Sequence, residues 1–161
     1  MTDVRPFLSS PTDSATGCRP VADAAELAAH HRIRRAVFCT EQQLFDGTDH
    51  DGHDDDPATV HVLGLVDGEP AGTVRLYPLT GTLWHGDRLA VLPAHRRSRI
   101  GAQLVRLAVA TAGRRGGARM QACVQLPNVP FFVHLGWTPT APPADHLGMP
   151  HQWMAIPLEP A

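Results

Sequence analysis

Arg96, Arg97 and Arg99 cluster just ahead of an apolar, helically spaced segment in DRLAVLPAHRRSRIGAQLV, residues 87–105. A strand that runs through a proline turn and an arginine-rich loop into a helix start combines free backbone N–H groups with guanidinium charge, which suits a polyphosphate. A solvated basic loop before an ordinary helix accounts for the same residues, and local physics weighs the two equally. Negative charge is concentrated elsewhere. DGTDHDGHDDD, residues 46–56, holds six of the 16 acidic residues; with a formal net charge of −2 for the chain, the remainder carries +4. His50 and His53 add metal-ligating types to this run. An EF-hand register, however, puts Gly47 at the first ligand position and Ala58 where a bidentate glutamate belongs, and a His-x-x-His pair alone is a weak zinc signal. No metal is expected. Beside a pocket, such a loop draws in a cationic amine; a solvated acidic loop is the equally weighted alternative.

The elements that must position these residues follow from periodicity. The 161 residues, 43% apolar and 19% charged, suit one globular domain. Residues 1–16, rich in Ser, Thr and Pro, read as a flexible arm, which leaves 17–161 as the domain. A strand is expected over 17–21. Asp23 with Glu26 three residues on forms a capping box, and Leu27, Ala28, Ile33, Val37 and Phe38 recur at helical spacing, so a helix is expected over about 24–39. VHVLGLV, an Asp67-Gly68 turn and PAGTVRLYPL form a hairpin, because Asp-Gly favours the type I′ turn that matches strand twist. TLWHGDRLAVL is a third strand in which Gly86 marks a bulge. GAQLVRLAVATAGRR carries Leu104, Val105, Ala108, Val109 and Ala112 on one stripe and stops at Gly116-Gly117. ARMQACVQ is a strand, a short helix starts near Asn128 and Pro130, and HQWMAIPL closes the chain as a strand. The expected fold class is mixed α/β (α+β) around one central sheet.

Composition excludes several chemistries. All 14 basic residues are arginine, so no Schiff base, P-loop lysine or lysine nucleophile is available. Near-neutral net charge argues against a nucleic-acid partner. MTDVRPFLSS has no apolar signal region, and no run approaches 18 uninterrupted apolar residues; no membrane partner and a cytoplasmic location are expected. Cys18, Cys39 and Cys123 stand far apart without a C-x-x-C pair and read as free thiols.

Residues 87–105 resemble the pyrophosphate motif of the GNAT N-acetyltransferase superfamily, Q/R-x-x-G-x-G/A, with Arg96 and Gly101 in its outer positions, Ala102 following, and Arg99 in place of the first glycine. Other pieces extend the likeness over roughly residues 20–158: RRAVFCTEQQLF, the Asp-rich loop, GTVRLYPL, WHGDRLAV, QACVQLPNVPFFVHLGW and GMPHQWM. Together they look like a GNAT subfamily found beside nitrogen-starvation gene clusters and, less closely, like the ElaA type. The resemblance implies a mostly antiparallel sheet of about six to seven strands flanked by about four helices. It also implies acetyl-CoA as cosubstrate. Its pantetheine arm would lie along Leu89, Ala90 and Val91, its pyrophosphate on Arg96, Arg97, Ser98, Arg99, Ile100, Gly101 and Ala102, with Asn128 and Phe132 completing the set.

The implied reaction is direct transfer, in which a neutral small-molecule amine attacks the thioester carbonyl. A backbone N–H near Leu89 to Val91 would stabilise the developing oxyanion, an effect of about 3 kcal/mol. Phe132 stands where many members carry an acidic tyrosine, so Cys123 or water is left to protonate the leaving thiolate, with an inert buried thiol the favoured reading of Cys123. Tyr77, Gln125, Asn128 and His134 are weaker substitutes. Glu41 and His61 match family positions for the base, against their bland readings as a turn-capping glutamate and a satisfied core histidine. Two other functions compete. R-x-x-V-F (Arg34 to Phe38), the acidic residues after it, and G-x-x-R-L (Gly72 to Leu76) resemble acyl-homoserine-lactone synthases, and the missing tyrosine with Arg99 suits an acyl-CoA-binding module without turnover. Exposed edge strands near the C-terminus allow a homodimer.

Overall fold

A computed structural model describes residues 15–159. The expected arm therefore lies outside the described residues, except that Thr16 already opens the first strand. In chain order the elements are β1 (Thr16–Pro20), α1 (Ala24–Arg34), β2 (Val60–Val66), β3 (Glu69–Pro78), β4 (Leu83–Val91), α2 (Ile100–Arg114), β5 (Arg119–Gln125), α3 (Val129–His134), β6 (Thr138–Pro139), β7 (Ala144–His146) and β8 (Met149–Pro157). They build one sheet in the order β1-β2-β3-β4-β5-β8-β6, with β7 also on β8. The mixed α/β class is as expected. The sheet, however, has eight strands rather than six to seven, and the described residues hold three α-helices rather than about four. The additional strands, β6 and β7, are two and three residues long and lie in the proline-rich stretch around TPTAPPADH, where no alternation can show.

Local chemistry sets the elements much as the sequence indicates. Asp23 Oδ1 accepts from the Glu26 N–H at 2.9 Å, while Glu26 Oε1 accepts from the Ala22 N–H at 2.9 Å, so the cap reaches one residue further back than an ordinary capping box. α1 does not stop at residue 39 but continues as a π-helical turn over Arg35–Glu41, closed by the Gln42 N–H donating to Val37 O at 2.9 Å. Such wide turns alter which side chains face inward and are frequent at functional sites. Asp67 and Gly68 both have positive φ, 50° and 83°, the type I′ geometry.

Two features shape the cleft. β4 and β5 run parallel and pair only over Leu83–His85 with Arg119–Gln121; beyond that the two strands part. The bulge in β4 falls at Arg88, not at Gly86: Arg88 and Leu89 together oppose Val74 of β3, and Arg88 has φ 55°. On the other side of the sheet, paired Gly64 and Gly72 make room for α2, since a Cβ at Gly64 would lie 2.7 Å from Ile100 Cγ1 and one at Gly72 2.9 Å from Leu104 Cδ1. Ile100 and Leu104 are fully buried there, and truncating either to alanine costs about 2–5 kcal/mol. The start of α2 is thereby seated directly on the sheet. No helix among the described residues is long and apolar enough to cross a membrane.

Candidate functional site

Where β4 and β5 part, a cavity of about 370 Å³ opens into the sheet. Side chains alternate along strands, so paired residues share a face. On one face Trp84, Met120, Ala122, Val124 and Met154 pack into the apolar core under α2. The pairs Tyr77–His85, Arg75–Asp87, His85–Gln121, Cys123–Trp153 and Gln125–His151 lie on the other face and form a polar row. Phe38, Gln42, Leu44 and Phe45, from the π-helical turn and the loop after it, close the cavity from that side, and Gln125 Nε2 donates to Gln42 Oε1 at 2.9 Å across it. His53 stacks on Tyr77 with ring centroids 3.8 Å apart, and burial pushes the Tyr77 hydroxyl up to about 12.

Behind the polar row lies a network of buried ion pairs. Arg34, fully buried, donates to Asp49 Oδ2 at 2.7 Å and to both oxygens of Asp54 at 2.7 and 3.0 Å. Arg75, also fully buried, donates to both oxygens of Asp87 at 2.8 and 2.7 Å and to both oxygens of Asp51 at 2.7 and 3.1 Å. Arg88 donates from Nη2 to Asp49 O at 2.8 Å and to Asp51 Oδ2 at 3.3 Å, and its guanidinium lies 4.8 Å from the Phe45 ring centroid. Burial opposes ionisation of Asp54 and Asp87, but hydrogen bonds from His61 and Arg34 to the first, and from Arg75 and His85 to the second, hold both carboxyls well below the usual range. The acidic run is therefore divided, with Asp46, Asp55 and Asp56 exposed and the other three aspartates engaged. Asp49, Asp51 and Asp54 are consumed by core arginines, because buried guanidiniums need carboxylates and this loop carries them. Four aspartates against three arginines leave one negative charge in excess, and Asp51 and Asp87 bring it to the cavity wall.

The residues named from sequence distribute unevenly. Leu89, Cys123, Asn128 and Phe132 line the cavity; Ala90 and Val91 continue the wall strand, Ala90 buried against the α1 side. Burial pushes the Cys123 thiol up, so it stays protonated at neutral pH. Glu41 lies outside the cavity wall and makes a two-pronged pair with Arg96, whose Nη1 is 2.7 Å from Oε2; the guanidinium holds the Glu41 carboxyl below its ordinary range. Arg96 Nε also donates to Val91 O at 2.9 Å, so that arginine ties the loop to the end of β4. His61 sits behind the polar row with Nε2 3.1 Å from Asp54 Oδ1. Ser98 Oγ donates to His95 O at 2.6 Å and accepts from the Ile100 N–H at 3.3 Å, whereas the Gly101 and Ala102 N–H groups of the first turn of α2 find no acceptor among the described residues. Arg97 and Arg99 are exposed and pair with no carboxylate among the described residues. The other substitutes separate: Tyr77 and Gln125 line the cavity, and His134 is exposed at the end of α3.

Sequence reasoning missed His85, His146, His151 and Trp153, all on the cavity wall. HQWMAIPL reads as a strand and GMPHQWM as a family likeness; the alternation of His151 and Trp153 on one face of β8 is the physical signal that marks them. His50 and His53 do not converge, since His50 turns toward Asp55 while His53 stacks on Tyr77. His31, His50 and Asp54 each offer a ligand atom within 4.8 Å of the others, but both Asp54 oxygens already face the guanidiniums of Arg34 and Arg75.

The model of the acetyltransferase (GNAT) family matches residues 22–137. Among solved structures, an N-acetyltransferase from Lactobacillus plantarum superposes with a TM-score of 0.79 at 26% identity, covering 89% of this chain and 99% of its own. Escherichia coli ElaA superposes at 0.77 and 23% identity, with the same coverage of 89% and 99%. A CoA-dependent acyl-homoserine lactone synthase, BjaI, solved with SAM and isopentyl-CoA, superposes at 0.73 and 21% identity over 91% of this chain and 84% of its own.

Proposed function

The chain belongs to the acetyltransferase (GNAT) family and is an N-acyltransferase, and we propose that it moves an acetyl group from acetyl-CoA to the amine of a small molecule by direct transfer. The observation that carries this reading is the parting of β4 and β5 beside an open helix start. One cavity, lined by the polar row together with Leu89 of β4 and Val105 of α2, is thereby set on the same strand and helix that lead to Arg97, Arg99, Gly101 and Ala102. The exposed arginines and the free N–H groups of α2 suit a pyrophosphate. Leu89, Ala90 and Val91 would offer backbone to a pantetheine arm, and the β4 bulge at Arg88 interrupts the strand just before them, where a backbone N–H would stabilise a thioester carbonyl that gains negative charge as the amine attacks. Cys123, protonated and on the opposite wall, is placed to serve the departing sulfur. The one surplus carboxylate charge at the wall favours an acceptor that arrives as an ammonium ion. Rate enhancement then comes mainly from holding two substrates in one cleft.

Calorimetric titration with acetyl-CoA, CoA and S-adenosylmethionine at one salt concentration, followed by an amine panel scored for acetylated product, tests the reading. Micromolar binding of acetyl-CoA and CoA with acetylated amine is the expected result. Binding of S-adenosylmethionine would move the chain to the lactone-synthase reading, which the likeness to BjaI keeps in view. CoA binding with no product from any amine would make it a binding module.

A further inference from the structure

Resting on that acetyl-transfer reading, we propose that His151 is the general base that takes the proton from the acceptor amine. His151 stands on β8 opposite Gln125 of β5, on the polar face of the sheet; the residue is only 6% exposed, and it lines the cavity. Its Nδ1 lies 2.9 Å from Met149 O. A carbonyl oxygen only accepts, so Nδ1 carries the hydrogen and the lone pair of the neutral ring is on Nε2. No protein group hydrogen-bonds Nε2 among the described residues, so this cavity-lining ring keeps one nitrogen lone pair without a protein partner while its other nitrogen is held.

The other candidates lack that combination. Glu41 is bound by Arg96, and His61 by Asp54. His30 is held between Val62 O and Arg34. His85 has Gln121 at one nitrogen and Asp87 at 3.6 Å from the other. The charged and titratable groups that share the cavity with His151 are His146 on β7, Cys123 on β5, His85, Asp87 and Arg88 on β4, Tyr77 on β3, and Asp51 and His53 on the acidic loop; the His146 ring stands edge-on at 5.1 Å. In the step, the amine lone pair forms the C–N bond and the C–S pair leaves with sulfur. The surplus N–H proton passes to Nε2, the Cys123 thiol protonates the departing thiolate, and the imidazolium returns its proton through solvent to Cys123, so amine and thioester become amide and thiol with no other reactant.

The test compares the full chain with His151→Asn, which keeps an N–H for Met149 O but has no Nε2, and with His151→Gln, each with acetyl-CoA and the best amine of the panel. Expected is a fall in kcat of about 100-fold, loss of the acidic limb of the kcat/KM profile, partial rescue by added imidazole, and acetyl-CoA affinity unchanged within about twofold. A variant that melts like the parent and keeps its kcat and acidic limb overturns the assignment. Absence of acetylated product from the unaltered protein removes the acyl-transfer reading itself, and the base with it.

Discussion

Arginine serves two opposite purposes in this molecule. Arg34 and Arg75 are fully buried and saturated by carboxylates, whereas Arg97 and Arg99 stand exposed ahead of α2 with no carboxylate partner among the described residues. A buried guanidinium is tolerated only when its charge and donors are matched, so the first pair must recruit aspartates across the fold. An exposed one holds its charge at little cost and keeps it available to an incoming anion. Arg96 lies between the two regimes: exposed, yet pinned to Glu41 and to Val91 O. The same residue type is thus structural in one region and uncommitted in the other, and its carboxylate environment decides which.

The largest break in this comparison is Arg34→Met, which takes from Asp49 and Asp54 the guanidinium they share and leaves them only Arg88 and Arg75. It should cost about 3–5 kcal/mol, read as the loss of unfolding free energy in urea, whereas Arg97→Ala should change that quantity by less than about 0.5 kcal/mol. Equal losses in the two variants would erase the distinction. Next in size, Arg97→Ala and Arg99→Ala should each weaken CoA binding by about 1–3 kcal/mol in calorimetry, and raised salt should narrow the difference from the parent. Undiminished affinity in both would return the loop to a solvated basic segment.

The smallest effect sharpens the buried side. Burial, with Arg34 beside it, pushes His30 down from 6.5 to about 3. The unfolded chain therefore binds a proton that the folded chain refuses. Stability from this group is complete above pH 6.5 and declines as pH falls toward 3. Between about pH 7.5 and 5.5 the loss should be about 1 kcal/mol, measured by urea unfolding at each pH; a flat profile would show that the imidazole is not confined.

Legibility in the sequence followed the range of the interaction. Asp23 with Glu26, Asp67-Gly68, and the stripe through Leu104 and Ala108 are local signals, and the cap, the hairpin turn and α2 formed where they pointed. The β4 bulge was expected at the glycine, the cheapest residue to deform, yet it lies at Arg88. There Asp49, Asp51, Phe45 and the Thr73 hydroxyl hold a positive φ that isolated chain chemistry disfavours. β6 and β7 were invisible because they are too short to alternate and exist only as additions to β8. For the cavity, lining residues such as Leu89, Cys123 and Phe132 could be named in advance. The engagement of Glu41 by Arg96 spans 55 positions and had no local trace.

Residue identity and spacing by themselves determined the mixed α/β class, the absence of lysine chemistry, the helix start after an arginine-rich loop, and the family likeness that implied acyl transfer. Tertiary structure alone decided which charges are spent and which remain free. Pairing depends on burial and on distances between residues far apart in the chain, and so does the tautomer of His151, set by a carbonyl while its other nitrogen has no protein partner among the described residues. Local periodicity reports the backbone's preferences, but electrostatic matching in a low-dielectric interior is settled only when the strands and the acidic loop have come together.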